Sequence, residues 1–104
     1  MNVRTKYDIG QRVYYVNEAS RYGEIGVGVV ETILVSRDYT EYIFADGNRS
    51  GIVSNKVDDL YLMIRKRVNN DFIENVKRLD FNKEEAEKRM RMNEHSSKNG
   101  NNMG

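Results

Sequence analysis

Few residues of this chain belong to the types that carry out covalent or metal chemistry. The 104 residues contain no cysteine and one histidine, which excludes disulfides, thiolate metal sites and thiol nucleophiles. That histidine, His95, lies in a polar C-terminal stretch where neither a metal site nor a catalytic base is expected. No serine has a plausible base, and the adjacent carboxylates of Asp58 and Asp59 point in different directions, as in a turn. The sequence therefore predicts that the protein is not an enzyme and uses no cofactor or metal.

Glycines 26 and 28 invite comparison with a phosphate-binding loop, which cradles phosphate with backbone N–H groups. The third glycine of that pattern is lacking, and neither a preceding Rossmann strand nor a following helix is predicted. We interpret both glycines as positions where the backbone of a small sheet is closely packed.

Basic residues alternate with tyrosines in a pattern that could bind single-stranded nucleic acid by phosphate contacts and base stacking. The cluster Arg65, Lys66 and Arg67 is the best candidate for a phosphate contact. Lysine plus arginine number 17 and aspartate plus glutamate 16, so the net charge gives no long-range attraction to a polyanion. Nucleic-acid binding is therefore the alternative function, and its remaining candidate residues are Arg21, Tyr22, Arg37 and Tyr39.

An apolar stripe in the C-terminal third could bind another protein. Phe72, Ile73, Val76 and Leu79 fall at helical spacing, and Met90 extends the stripe with an adaptable side chain. These five residues are the candidate partner-binding set. For the first four, packing on the rest of the protein is the preferred interpretation, whereas a helix around Met90 is either a solvated arm or a means of forming a homodimer.

The elements that must position these residues are predicted to be mostly strands. The apolar run Gly23–Val35 predicts a long curved strand with a bulge near Glu31 and Thr32. A tight hairpin is predicted at Asp46-Gly47, with Tyr42 and Phe44 facing inward on the strand before it. The other strands are predicted at residues 12–16, 40–44, 50–54 and 60–64, the last of which closes the sheet.

Several stretches carry a resemblance to a known fold family. They are Ile9-Gly10-Gln11-Arg12-Val13-Tyr14-Tyr15-Val16, Gly26-Val27-Gly28-Val29-Val30-Glu31-Thr32-Ile33, Asp46-Gly47 and Leu60-Tyr61. Over about residues 7–64 the chain resembles the small SH3-like barrels of the KOW and Tudor type. The resemblance implies a mainly β fold, an SH3-like five-stranded barrel followed by a C-terminal helical extension. Members of these families bind RNA, DNA, RNA polymerase, ribosomes or modified protein tails, so it implies a binding module.

The Tudor side of the resemblance implies an aromatic cage for a methylated cation. Its candidates would be Tyr15, Tyr22, Tyr39, Tyr42 and Phe44 with Asp46. Several of these residues are needed for the core, which favours plain packing.

The domain organisation follows from these elements. Residues 1–66 are predicted to form the barrel, residues 67–95 two helices at about 71–79 and 83–93, and residues 96–104 a disordered tail. With no leader or membrane-spanning run, the protein is expected to be cytoplasmic. The preferred function is non-enzymatic binding through protein contacts, as a small regulator or inhibitor of a larger host machine. As a predicted small β module with charged arms, the chain is similar to short phage and mobile-element proteins that act in this way.

Overall fold

The computed structural model describes residues 6–20, 23–68 and 73–103, with side chains up to Met92. The described residues form a five-stranded antiparallel sheet and two helices. The elements are β1 Arg12–Asn17, β2 Glu24–Val35, β3 Thr40–Phe44, β4 Arg49–Ser50, β5 Val53–Ser54, α1 Val57–Val68 and α2 Ile73–Met103.

Strand β2 is the longest strand and joins the two halves of the sheet, whose order is β4-β3-β2-β1-β5. Its first half pairs with β1 and its second half with β3. The register shifts between Val30 and Thr32, which confirms the predicted bulge. Because a bulge increases the local bend and twist, this is where the sheet turns from one half to the other.

The sheet is open, so the prediction of a closed five-stranded barrel is wrong. The predicted strand at residues 50–54 is split in two, and its halves β4 and β5 lie at opposite edges of the sheet. In a flat sheet four spacings of about 4.8 Å would separate these edges by roughly 19 Å. The three residue steps from Ser50 to Val53 reach at most about 11 Å. The sheet must therefore curl until its edges approach, although β4 and β5 do not pair with each other.

Helix α1 replaces the strand predicted at residues 60–64. Val57, Leu60 and Ile64 are buried at spacings of three and four residues, which make one helical stripe. Asp58 and Asp59 lie in the first turn, and the basic cluster from Arg65 lies in the last turn. This distribution matches the helix dipole at both ends and stabilises a helix over a strand.

From Ile73 onward, helix α2 is continuous through the ranges predicted as two helices. The second predicted start, Asn82 with Glu85, lies inside the helix, where acid–base pairs four residues apart support helical continuity. The first predicted start depends on Asp71, which lies outside the described residues. The helix also continues to Met103, through the segment predicted to be disordered.

Two clusters of buried side chains lie on the two faces of β1. Tyr14 and Val16 belong to a cluster shared with Ile25 and both helices, in which Leu79 and Ala86 represent α2. Val13 and Tyr15 belong to a second cluster with Tyr7, Val30, Tyr42 and Phe44. The prediction that Tyr42 and Phe44 face inward is confirmed. Within the described ranges, neither helix combines the length and apolarity needed to cross a membrane.

Candidate partner-binding groove

A groove of about 680 Å³ lies where the start of β3, the link between β4 and β5, and the lead-in to β1 meet. It exists because the two-residue link Gly51–Ile52 carries the chain from one edge of the sheet to the other. Its lining residues are Lys6, Tyr7, Glu18, Tyr39, Thr40, Glu41, Tyr42, Gly51, Ile52 and Val53.

Tyrosines form the walls of this groove. The rings of Tyr7 and Tyr42 meet edge to face with centroids 6.0 Å apart. Both residues are buried, and the Tyr7 hydroxyl accepts a hydrogen bond from the Asn55 N–H at 3.3 Å. Tyr39, in contrast, is 61% exposed at the turn between β2 and β3. The groove thus has one fixed aromatic wall and one exposed ring that a ligand can cover.

The charges around the groove come from two carboxylates and one ammonium group. The carboxylate of Glu18 accepts a hydrogen bond from the Gly51 N–H at 3.1 Å, and that of Glu41 lies 3.5 Å from Arg49 Nη1. Lys6 Nζ lies 5.7 Å from the centroid of the Tyr7 ring. Each carboxylate can accept several hydrogen bonds, so both retain capacity for donors of a ligand. Lys6 shows that a cation can lie over an aromatic face here, and the exposed ring of Tyr39 offers another such face in a groove that also contains two carboxylates.

The backbone edge of β3 also borders the groove. Strand β4 pairs only with Tyr42 and Ile43, so Thr40 and Glu41 extend beyond the paired part of this edge. A short edge segment of this kind can pair with an added extended chain. The groove therefore combines a strand edge, aromatic rings and carboxylates, which together suit an extended peptide better than a small metabolite.

The residues predicted for nucleic-acid binding belong to different elements. Arg65, Lys66 and Arg67 lie at the end of α1, where Arg65 Nη1 donates to the Tyr61 hydroxyl at 2.9 Å. Arg37 and Tyr39 are exposed at the turn between β2 and β3, and among the described members of the set only Tyr39 lines the groove. Arg21 and Tyr22 lie outside the described residues.

The apolar stripe predicted to bind a partner is only partly at the surface. Leu79 is 3% exposed in the core, and Val76 and Met90 are half-buried. Ile73 is 69% exposed, and Phe72 lies outside the described residues. Partner binding by this stripe stays a prediction, and Leu79 can contribute to it only by leaving the core.

Those candidates for the aromatic cage that the structure describes lie in different places. Tyr15 and Phe44 stack with ring centroids 4.2 Å apart inside the second cluster. Burial raises the pKa of the Tyr15 hydroxyl, which accepts a hydrogen bond from Asn48 Nδ2 at 2.9 Å. Tyr39 and Tyr42 alone among the described candidates line the groove.

A cluster of polar side chains joins α1 and α2. Lys83 Nζ lies 3.0 Å from the Asp58 carboxylate and 4.9 Å from the centroid of the Tyr61 ring. The hydrogen bond to Asp58 raises the pKa of Lys83. The Tyr61 hydroxyl also donates to the Asp80 carboxylate, so the cluster holds α2 against α1. Among the described residues, no group of three or more metal-ligating side chains lies close enough together to hold a metal ion.

Sequence reasoning missed Tyr7, Glu18 and Gly51 as site residues. The only sequence signal was the glycine between Ser50 and Ile52, which interrupts the strand predicted there. Comparison of the chain with known protein families, with curated proteins and with solved structures finds no match. The resemblance to KOW and Tudor barrels therefore stays a prediction, and function has to be argued from the geometry of the groove.

Proposed function

We propose that this chain is a non-enzymatic binding module that acts through protein contacts, and that its groove takes an extended peptide segment with a cationic side chain. The observation that carries the proposal is that the exposed ring of Tyr39 lines the same groove as Glu18 and Glu41. A module of this size regulates or inhibits a larger protein by occupying one of its segments. The last strand, β5, lies next to the first strand, β1, and this strand order supports an SH3-like arrangement for the module.

Each chemical element of the groove has a role in this proposal. A peptide backbone pairs with the part of the β3 edge, at Thr40 and Glu41, that β4 leaves unpaired, which supplies affinity without sequence preference. A lysine or arginine side chain of the peptide lies over Tyr39 and is neutralised by Glu41 or Glu18. The fixed rings of Tyr7 and Tyr42 keep the groove open before binding, which lowers the entropic cost of binding.

Binding can be measured with an array of random seven-residue peptides probed with the labelled protein, followed by titration of the strongest peptides. We expect basic peptides to be enriched and to bind with micromolar affinity. Tyr39→Ser and the double variant Glu18→Gln/Glu41→Gln should each weaken binding at least tenfold. Leu62→Ser changes an apolar residue on α1 that is 58% exposed and lies outside the groove, and it is the matched control.

The same preparation tests the nucleic-acid alternative with labelled single-stranded RNA and DNA at two salt concentrations. Binding that weakens steeply with salt and disappears when Arg65, Lys66 and Arg67 become glutamate would favour that alternative. Enrichment of peptides that lack basic residues would contradict the proposed function of the groove. Unchanged peptide binding by Tyr39→Ser would contradict it as well.

A further inference from the structure

The outer face of α2 carries a regular pattern that packing on the sheet does not explain. Phe81, Glu85, Lys88 and Met92 follow one another at intervals of four, three and four residues, the spacing of a coiled-coil seam. Phe81 lies two residues, or about 200° around the helix axis, from the buried Leu79. Phe81 and Met92 are 60% and 59% exposed. The seam therefore faces away from the core of its own chain.

Charged residues flank this seam in a shallow groove of about 430 Å³ on the surface of α2. Its lining residues are Phe81, Glu84, Glu85, Glu87, Lys88 and Arg91. At the seam and flanking positions, Glu84 and Glu85 precede Lys88 and Arg91, while Glu87 lies between them on the side of the helix away from the seam. Such a polarity cannot pair with a parallel copy in register, because like charges would then face each other.

An antiparallel copy of the same helix fits this polarity. With a two-fold axis passing between Ala86 and Glu87, Phe81 faces Met92 of the second copy, and Glu85 faces its Lys88. Both pairs occur twice by symmetry, as an isologous interface requires. Glu84 then lies diagonally opposite Arg91 at the flanking positions of the seam.

We propose that the outer face of α2 is a self-association surface, on which a second copy of this chain packs antiparallel in the register that sets Glu85 against Lys88. Self-complementarity singles out a second copy as the occupant, because one register brings both apolar pairs together and sets Glu85 near Lys88 and Glu84 near Arg91. The axis lies near the middle of α2, so the two helices overlap along most of their length. The lining residues of the partner-binding groove belong to the sheet and its connections and not to α2.

Charge exchange tests this register more sharply than truncation of the apolar residues. In a dimer of Glu85→Lys, the lysines at positions 85 and 88 of one copy face the two lysines of the other copy. In a dimer of Lys88→Glu, two glutamates face two glutamates. Each variant alone should dimerise at least tenfold more weakly than the parent protein. An equimolar mixture of the two variants should form a one-to-one heterodimer, and the double variant Glu85→Lys/Lys88→Glu should recover homodimerisation.

The measurement is analytical ultracentrifugation from about 10 to 500 μM protein at low and high salt, since exposed ion pairs weaken as salt rises. Glu31→Lys and Lys66→Glu are the matched reversals at exposed positions outside α2 and should leave dimerisation unchanged. Circular dichroism checks that each variant keeps its helix content.

A parent protein that stays monomeric throughout this range at low salt would overturn the proposal. So would a dimer that both single reversals leave intact, because it would use another face. If the single variants lose helix content, the double variant Glu85→Lys/Lys88→Glu tests the proposed register. Recovery of the dimer supports the register, and a folded double variant that stays monomeric contradicts it. Peptide binding by the groove is measured separately, so this result does not depend on the proposed function.

Discussion

At the residue scale, two glycines of β2 allow aromatic rings to lie directly on the backbone of the sheet. A Cβ atom added at Gly28 would lie 2.9 Å from Cγ of Phe44, and one added at Gly26 would meet the ring of Tyr15. Tyr15 and Phe44 stack on each other, so neither ring can move without disturbing the other. The sequence suggested close packing at these glycines, but it did not reveal which residues would occupy the space.

Replacement of Gly28 by alanine measures this constraint. Because Phe44 is 1% exposed and already stacked, we expect Gly28→Ala to lower the free energy of unfolding by about 1 to 3 kcal/mol. Urea denaturation followed by circular dichroism gives this value. Gly51→Ala is the control, since its Cβ would meet only the Thr40 carbonyl at 3.4 Å. Equal stabilities of the two variants would mean that the rings have room to move.

At the element scale, the local signals in the sequence determined more of the sheet than of the helices. The strands β1, β2 and β3, the bulge after Val30 and the positive φ of Gly47 in the Asp46-Gly47 hairpin follow from β-branched runs and turn residues. Val57, Leu60 and Ile64 have the spacing of a helix, but the sequence analysis predicts a strand in this region. The reason is that the apolar run Leu60-Tyr61-Leu62 is also typical of a short strand. Periodicity over so few residues does not decide between the two structures.

The groove could not be predicted because it depends on contacts between residues far apart in sequence. Tyr39 was named as a candidate from its type and neighbours, and it does line the groove. Tyr7 and Glu18 reach the same place only because the chain crosses at Gly51 from one edge of the sheet to the other. No local pattern specifies such a crossing, since it depends on how far the whole sheet curls.

The orientation of α2 gives a second prediction at this scale. Leu79 and Phe81 are two residues apart but face opposite sides, one 3% and the other 60% exposed. We expect Leu79→Ala to lower the free energy of unfolding by about 2 to 4 kcal/mol, because it leaves a cavity between α2 and the sheet. Phe81→Ala should change it by less than about 0.5 kcal/mol when measured on dilute protein. Similar losses for both variants would mean that α2 does not pack as described.

At the scale of the whole molecule, sheet and helices share one core. Tyr14, Val16 and Ile25 of the sheet, Leu60 and Ile64 of α1, and Leu79 and Ala86 of α2 belong to the same buried cluster. A domain of this length buries only a modest core, so few of these contacts are dispensable. The sequence suggested instead a barrel at residues 1–66 with an added helical extension, because local patterns do not reveal what a helix packs against.

A fragment comprising residues 1–68 tests whether the sheet can fold without α2. We expect it to lose cooperative unfolding, because removal of Leu79 and Ala86 uncovers the part of the shared cluster, including Ile25 and Ile64, on the elements that α2 packs against. Near-ultraviolet circular dichroism and urea denaturation measure this loss, and a fragment of residues 1–93 is the control that keeps both buried α2 residues. A cooperative transition in the shorter fragment would mean that the first 68 residues are an independent domain and that α2 is an appendage.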